Sequence, residues 1–345
     1  MGAFMRTLLA AVALTIGFSG MAYAADCSPL KINNSVKMEP IARSGLMMVP
    51  ITLDGVDKKF LFNTTSVVNQ VSRATAQQLQ LNEHHSRYHI ADPRHHDTNS
   101  FVLVGDVTFG QAKTKDIQFE ITPDPAVGVT TPFDGMISTG IFTHDDLDMD
   151  FGAERLNFFS TDHCEGKVVY WPHQVLAVVP MIMEQGHIDL TVTLDGHPMR
   201  AALNTSSSRT TLNLQRAQEI MGFSPDSATP PGNFKDDADN KVYPRRFANL
   251  SFEGVTVANP VIVVRPIIYG GGPSINTPGD DLVPGSRAEH KDDYANRMSA
   301  DMNIGMDVLR HLHIYVATGE NKLYITEASP GESVLFKTAA SSPGQ

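Results

Sequence analysis

Short runs of alternating apolar and polar residues dominate the chain, the period of half-buried β-strands, and helical spacing is brief. Met47 to Leu53 and Asp189 to Leu194 are two such runs, and each ends in an Asp-Gly pair. Asp-Gly between apolar runs predicts a hairpin, because the turn needs positive φ and glycine tolerates it. The return strands are Lys59 to Phe62 and Met199 to Leu203. A polar triplet follows each, Asn63-Thr64-Thr65 and Asn204-Thr205-Ser206, and then a short helix. Ser72 is placed to cap a helix over Ala74 to Leu81, and Asn213 one over Leu214 to Met221 with Gly222 as its stop.

These parallels are an internal repeat. Thr52-Leu53-Asp54-Gly55 recurs as Thr193-Leu194-Asp195-Gly196, an offset of 141 at which Asn63 also matches Asn204 and Thr64 matches Thr205. Val107-Thr108-Phe109 matches Leu250-Ser251-Phe252 at offset 143, and Leu147 to Leu156 matches Ile314 to Leu323 at offset 167. The growing offset places an insertion between about 265 and 300, where Gly, Pro and polar residues predict a long surface loop. The final hairpins turn at Gly152-Ala153-Glu154 and Gly319-Glu320. The organisation expected is a leader over 1–24, a first repeat with its arm over 25–165, a connector over 166–180, a second repeat over 181–328 and a tail over 329–345.

Composition narrows the function. Hydrophobic residues make up 41% of 345 positions, enough for a sizeable core, and 26 Gly with 21 Pro suit many turns. The 27 Lys and Arg against 38 Asp and Glu give a net charge of -11 with no basic block, which argues against nucleic acid as a partner. The N-terminus combines Arg6, the apolar run Leu8 to Phe18 and the small-x-small triplet Ala22-Tyr23-Ala24. That is the pattern of a secretory leader cleaved after Ala24, and the run is too short to span a bilayer. Loss of Arg6 would take the charge from -11 to -12. Export, to a bacterial periplasm, is the expectation, with no membrane span later in the chain. In an oxidising compartment Cys27 and Cys164 are expected to pair.

Strand, hairpin, strand, triplet and helix, followed by Asn303-Ile304-Gly305-Met306-Asp307-Val308-Leu309 or Met136-Ile137-Ser138-Thr139-Gly140-Ile141-Phe142, resembles a retropepsin-like aspartic protease subunit. The resemblance covers about 36–160 and 177–328. It implies an all-β fold: two β-barrel halves on one chain related by a pseudo-two-fold axis, with a peptide-binding cleft between them and a triplet from each at its floor. The pair would be intramolecular and the protein a monomer. The family triplet is Asp-Thr-Gly, and this chain departs from it symmetrically. Asn63 and Asn204 replace both acids, Thr65 and Ser206 replace both glycines, and Ser138 stands where a glycine is usual. Two carboxylates sharing a proton supply the acid and the base of that mechanism, and an amide supplies neither. Thr64 and Thr205 remain, and the resemblance assigns them hydrogen bonds across the halves.

The resulting expectation is an inactive relative that binds extended peptide or unfolded protein segments, with no cofactor and no catalytic residue. An active hydrolase using other acids or a metal, and a structural envelope protein whose cleft is filled by its own loop, are the alternatives. His84, His85, His89, His95 and His96 crowd one segment, which in the family is a flap, here turning near Asp92-Pro93-Arg94. Their spacing fits no established zinc template, so an exposed polar hairpin is expected rather than a metal site. Asp97-Thr98 reads as loop, and Asp145, Asp146, Asp148 and Asp150 read as a solvated hairpin face. Trp171, between the repeats, reads as a packing residue.

Overall fold

The Asp-Gly turns form as the sequence requires. Asp54 and Gly55 have φ of 45° and 82°, Asp195 and Gly196 of 48° and 86°, the double positive φ of a two-residue hairpin turn. The first joins β3 (Met47–Leu53) to β4 (Val56–Asn63). The computed structural model describes residues 27–66, 68–91, 97–123, 131–142, 144–184, 187–227, 232, 234–235, 240–266, 274–275 and 300–328. The expected leader, the expected flap turn at 92–94 and the expected tail lie outside the described residues.

The first unit begins with β1 (Ile32–Lys37) and β2 (Glu39–Pro40). After β4 come β5 (Gln70–Ser72), helix α1 (Arg73–Gln78), β6 (Glu83–Ala91), β7 (Asp97–Phe109), β8 (Ala112–Thr122) and β9 (Gly135–Ser138). A 3-10 turn (Thr139–Phe142) leads to the hairpin of β10 (Asp145–Asp150) and β11 (Arg155–Ser160). Strands pair in the order β3-β4-β9-β5-β8-β7, and β7 returns to β3 through Thr52–Thr108, so six strands close into a barrel. β9 threads between β4, to which it is parallel, and β5, to which it is antiparallel. Gly135 permits this: a Cβ there would lie 2.2 Å from the Gln70 carbonyl oxygen. Inward residues such as Phe60, Phe62, Val102, Val104, Phe119 and Ile121 fill the core.

The second unit repeats the plan. β12 (Ala177–Glu184), β13 (His187–Leu194), β14 (His197–Leu203), β15 (Thr211–Asn213) and helix α2 (Leu214–Met221) lead into the hairpin segment. There β16 (Phe234–Lys235) is followed by two broken strands, β17 (Lys241–Arg246) with β18 (Asn249–Phe252), and β19 (Val255–Ala258) with β20 (Val261–Arg265). These two pairs stand where β7 and β8 run unbroken. Pro260 lacks an N–H and Asn259 has φ of 53°, so the ladder is interrupted and rejoined by the Phe247 N–H on the Pro260 carbonyl. β21 (Ser274–Ile275), β22 (Met302–Ile304), a helical turn (Met306–Leu309), β23 (Leu312–Ala317) and β24 (Lys322–Glu327) complete the unit. Asn213 and Gly222, φ 61°, bound α2 as expected, and Ser72 caps α1. α1 itself stops at Gln78, short of the expected Leu81, because Gln80 turns to φ 55°.

The final hairpins join the units. Strands order as β1-β11-β10-β23-β24-β12, with β10 and β23 antiparallel at the centre, Leu147 opposite Val316 and Asp150 opposite His313. Each side then passes into its barrel in the same way. β1 pairs with β11 and β2 with β3, while β12 pairs first with β24 and then with β13.

This corrects the reading of the aspartate-rich hairpin. Asp146 and Asp148 are fully buried, because β10 is a central strand with a neighbour on each edge. Asp146 accepts from the Thr318 N–H (2.8 Å) and hydroxyl (2.6 Å), from Tyr315 and from His163 Nε2 (2.6 Å). Asp148 is held by His313 Nε2 (2.5 Å), Asn157 (2.9 Å) and the Tyr170 hydroxyl. Trp171 stacks on His313 at 3.7 Å and donates to Thr326, so it packs the connector onto this network. Asp97-Thr98 is likewise strand rather than loop, since both residues open β7.

Cys27 and Cys164 are disulfide-bonded, closing a separation of 137 residues, which fits an oxidising compartment. Replacing both with alanine is expected to lower the unfolding free energy by about 2–5 kcal/mol, read as a shift in urea midpoint. A midpoint unchanged by reductant would refute this. No helix among the described residues is long and apolar enough to cross a membrane, which says nothing of strands.

Candidate functional site

Both polar triplets sit where a barrel strand ends. Asn63 is the last residue of β4 and pairs in register with Ser138 of β9. Asn204 directly follows β14, and its N–H donates to Ile304 of β22 at 2.9 Å. The next residue of each triplet crosses between the units. The Thr64 hydroxyl donates to the Leu203 carbonyl (2.5 Å) and accepts from the Thr205 N–H (3.2 Å). The Thr205 hydroxyl donates to the Phe62 carbonyl (2.7 Å) and accepts from the Thr64 N–H (3.2 Å). Thr64 and Thr205 are 0% and 1% exposed, so these four bonds lie out of water, where leaving any of them unmade is costly.

The asparagines are oriented by their own triplets. Asn63 Oδ1 accepts from the Thr65 N–H (2.9 Å) and the Thr65 hydroxyl (3.0 Å). Asn204 Oδ1 accepts from the Ser206 N–H (3.0 Å) and hydroxyl (2.8 Å). A backbone N–H can only donate, so the amide oxygen must face it, and each amide turns its NH2 the other way. For Asn63 that group meets Met136 Sδ at 3.7 Å. The side chains at positions 65 and 206 therefore add a second anchor to the oxygen. Each amide nitrogen carries two donor hydrogens, one of them directed at Met136 in the case of Asn63, and neither amide has a group that can take a proton.

A second pair of side chains braces each triplet loop. Asn69 Oδ1 accepts from the Ser138 N–H (3.1 Å), and at the matching place Thr210 Oγ1 accepts from the Gly305 N–H (3.1 Å). Sequence reasoning missed this pair, although 69 and 210 share the offset of 141. Glycine at 305 is a packing demand, because a Cβ would fall 2.4 Å from the Arg209 carbonyl. In the first unit Ser138 is accommodated by bonding its hydroxyl to the Ser66 carbonyl. Among the described residues, Asp307 is the carboxylate tied into this bracing. Burial pushes it above the usual carboxylate range, against the hydrogen bonds from Thr210, which hold both of its contacts on Oδ1 at 2.7 and 2.8 Å.

Of the five histidines, His84 and His85 have side chains among the described residues. His84 and His85 are successive residues of β6, so they point to opposite faces, and His84 packs on Phe101 at 5.3 Å between rings. The side chain of His89, and His95 and His96 altogether, lie outside the described residues. Among the described residues no group of three or more His, Cys, Asp or Glu is arranged to hold a metal ion.

No family model matches the chain, and no curated protein matches it. Among solved structures it is similar to the crystal structure of a retropepsin-like aspartic protease from Rickettsia conorii, at 11% identity and a TM-score of 0.30, over 38% of this chain and 93% of that one.

Proposed function

We propose that this chain is an exported, proteolytically inert protein that holds extended peptide or unfolded protein segments between its two units, 25–165 and 181–328. The observation that carries the reading is the fixed pair of amides. Asn63 and Asn204 adjoin the threonines that lock the units together, and both are anchored through their oxygens. Such a floor offers hydrogen-bond donors to a carbonyl-rich ligand and no general base to activate water. Incubating the purified protein with fluorogenic unfolded casein at pH 3 to 7 is expected to release no fragments, while a labelled casein peptide binds with saturable anisotropy. Hydrolysis abolished by Asn63→Ala, or by a chelator, would instead support an active hydrolase.

One observation favours a second reading, in which the insertion occupies the binding region. Ser274 and Ile275 of β21 pair with His89 and Tyr88 of β6, adding a strand from the second unit to the first unit's sheet. Deleting 276–299 separates the two. A folded variant with raised peptide affinity fits a binding protein, whereas an unfolded or aggregated one fits a structural role for the insertion.

A further inference from the structure

We infer that the first unit carries a pocket for an alkyl cation, a lysine or arginine side chain of the held segment, anchored by Glu120. This rests on the peptide-binding reading and names one residue class of the peptide. Glu120 lies on β8 between Phe119 and Ile121, both fully buried in the barrel core, so it projects from the opposite face. It is nevertheless only 1% exposed. Its Oε1 accepts from Gln118 Nε2 at 2.6 Å, and its Oε2 has no hydrogen-bond partner among the described residues. A carboxylate oxygen withdrawn from water and left unpaired is destabilising unless something arrives to pair it.

The space for that arrival exists. A cavity of about 640 Å³ is lined by Glu120, Gln118, Asp116, His85, Phe101 and Ile141 among others, and no lysine or arginine is among the described residues of its wall. Two carboxylates at one wall select a cation, and Phe101 with Ile141 offer an apolar flank for a methylene stem. Asn69 and Ser138, which brace the first triplet loop, also line it, so the pocket adjoins the candidate site.

The fold does not demand the acid. Glu120 pairs with Gln70 of β5 and Phe101 of β7, and at the same register of the second unit Val263 pairs with Thr211 and Pro244. A valine thus serves the strand in one unit, while the other holds a carboxylate with one unpaired oxygen beside a cavity. The two sides of the binding region therefore differ, with one subsite selecting charge.

The test uses n-butylguanidinium chloride as probe, with n-butanol as neutral control and calcium chloride as competing cation, followed by saturation-transfer NMR on the whole protein. The expected result is binding of butylguanidinium but not butanol, weakened about tenfold or more in Glu120→Gln, as loss of a charged hydrogen bond implies. Glu120→Val, the residue of the second unit, gives the same loss and serves where the glutamine variant misfolds. Equal binding to wild type and variants, binding to none, or protection by calcium alone overturns the inference. Paired casein-derived decapeptides with arginine or norleucine at one position keep the two readings apart. Glu120-dependent butylguanidinium binding without any peptide binding sinks only the peptide reading, and peptides that bind without preferring arginine sink only the pocket.

Discussion

Asp146→Ala is expected to lower the unfolding free energy by about 3–5 kcal/mol, the scale for removing one partner of a buried ionic pair. The aspartate is 0% exposed on a central strand, and its loss strands the Thr318 N–H and hydroxyl, the Tyr315 hydroxyl and His163 at once. The effect should be conformational rather than local, because β10 meets β23 here and the pair is the seam between units. His163 adds a pH signature. Burial disfavours its charge, but the Asp146 and Cys164 hydrogen bonds and the Asp146 and Glu320 charges outweigh that and raise it above its ordinary 6.5. Both ring nitrogens face acceptors only, Asp146 Oδ2 through Nε2 and the Cys164 carbonyl through Nδ1.

The sign of the pH effect follows from that raised value. A raised folded value means the stability from protonated His163 is complete below the unfolded value and is lost as pH rises through the folded one. Urea midpoints of wild type should therefore fall across that window, and those of His163→Gln should not. Equal slopes in the two proteins, or an Asp146→Ala variant as stable as wild type, would refute the assignment. Tyr170 and Tyr315 do not blur the window. Burial first, and the neighbouring aspartates second, push both phenols up, so they stay donors throughout it.

What the sequence discloses and what it hides divide along range of contact. The Asp-Gly turns, the caps at Ser72 and Asn213 and the stop at Gly222 are local devices, and each was legible. The repeat added longer reach: the offset of 167 aligns β10 with β23, which the structure pairs across the seam. Burial of Asp146 and Asp148 was not legible, because alternating acids look the same on a solvated hairpin as on a strand covered from both edges. Glu120 was not legible either, since a polar place in β8 looks outward-facing until His85 of β6, Phe101 of β7 and residues 68 and 69 line the cavity beside it. At the candidate site the sequence names the two triplets, while the second anchor from Thr65 and Ser206 depends on a hydroxyl reaching two residues back.

Thr64→Val is expected to cost about 2–4 kcal/mol, and Thr205→Val the same. Each hydroxyl pairs one carbonyl and one N–H of the opposite unit, and each buried group left alone costs about 1–3 kcal/mol. Valine keeps the shape, so the loss reports hydrogen bonds rather than a cavity. The double variant should cost less than the sum, because the Thr64 N–H bonds to the Thr205 hydroxyl and the reverse, so the second substitution finds its partners already disturbed. Strict additivity would refute a shared grip. The same cycle bears on function. If the units must be clamped for the binding region to exist, labelled casein peptide should lose affinity in step with the clamp, even in conditions where both barrels remain folded. Peptide affinity unaffected by the double variant would place any binding outside the region between the units. The clamp holds two barrels in one fixed relation, and that task is a physical reason for Thr64 and Thr205 whatever chemistry the neighbouring amides perform.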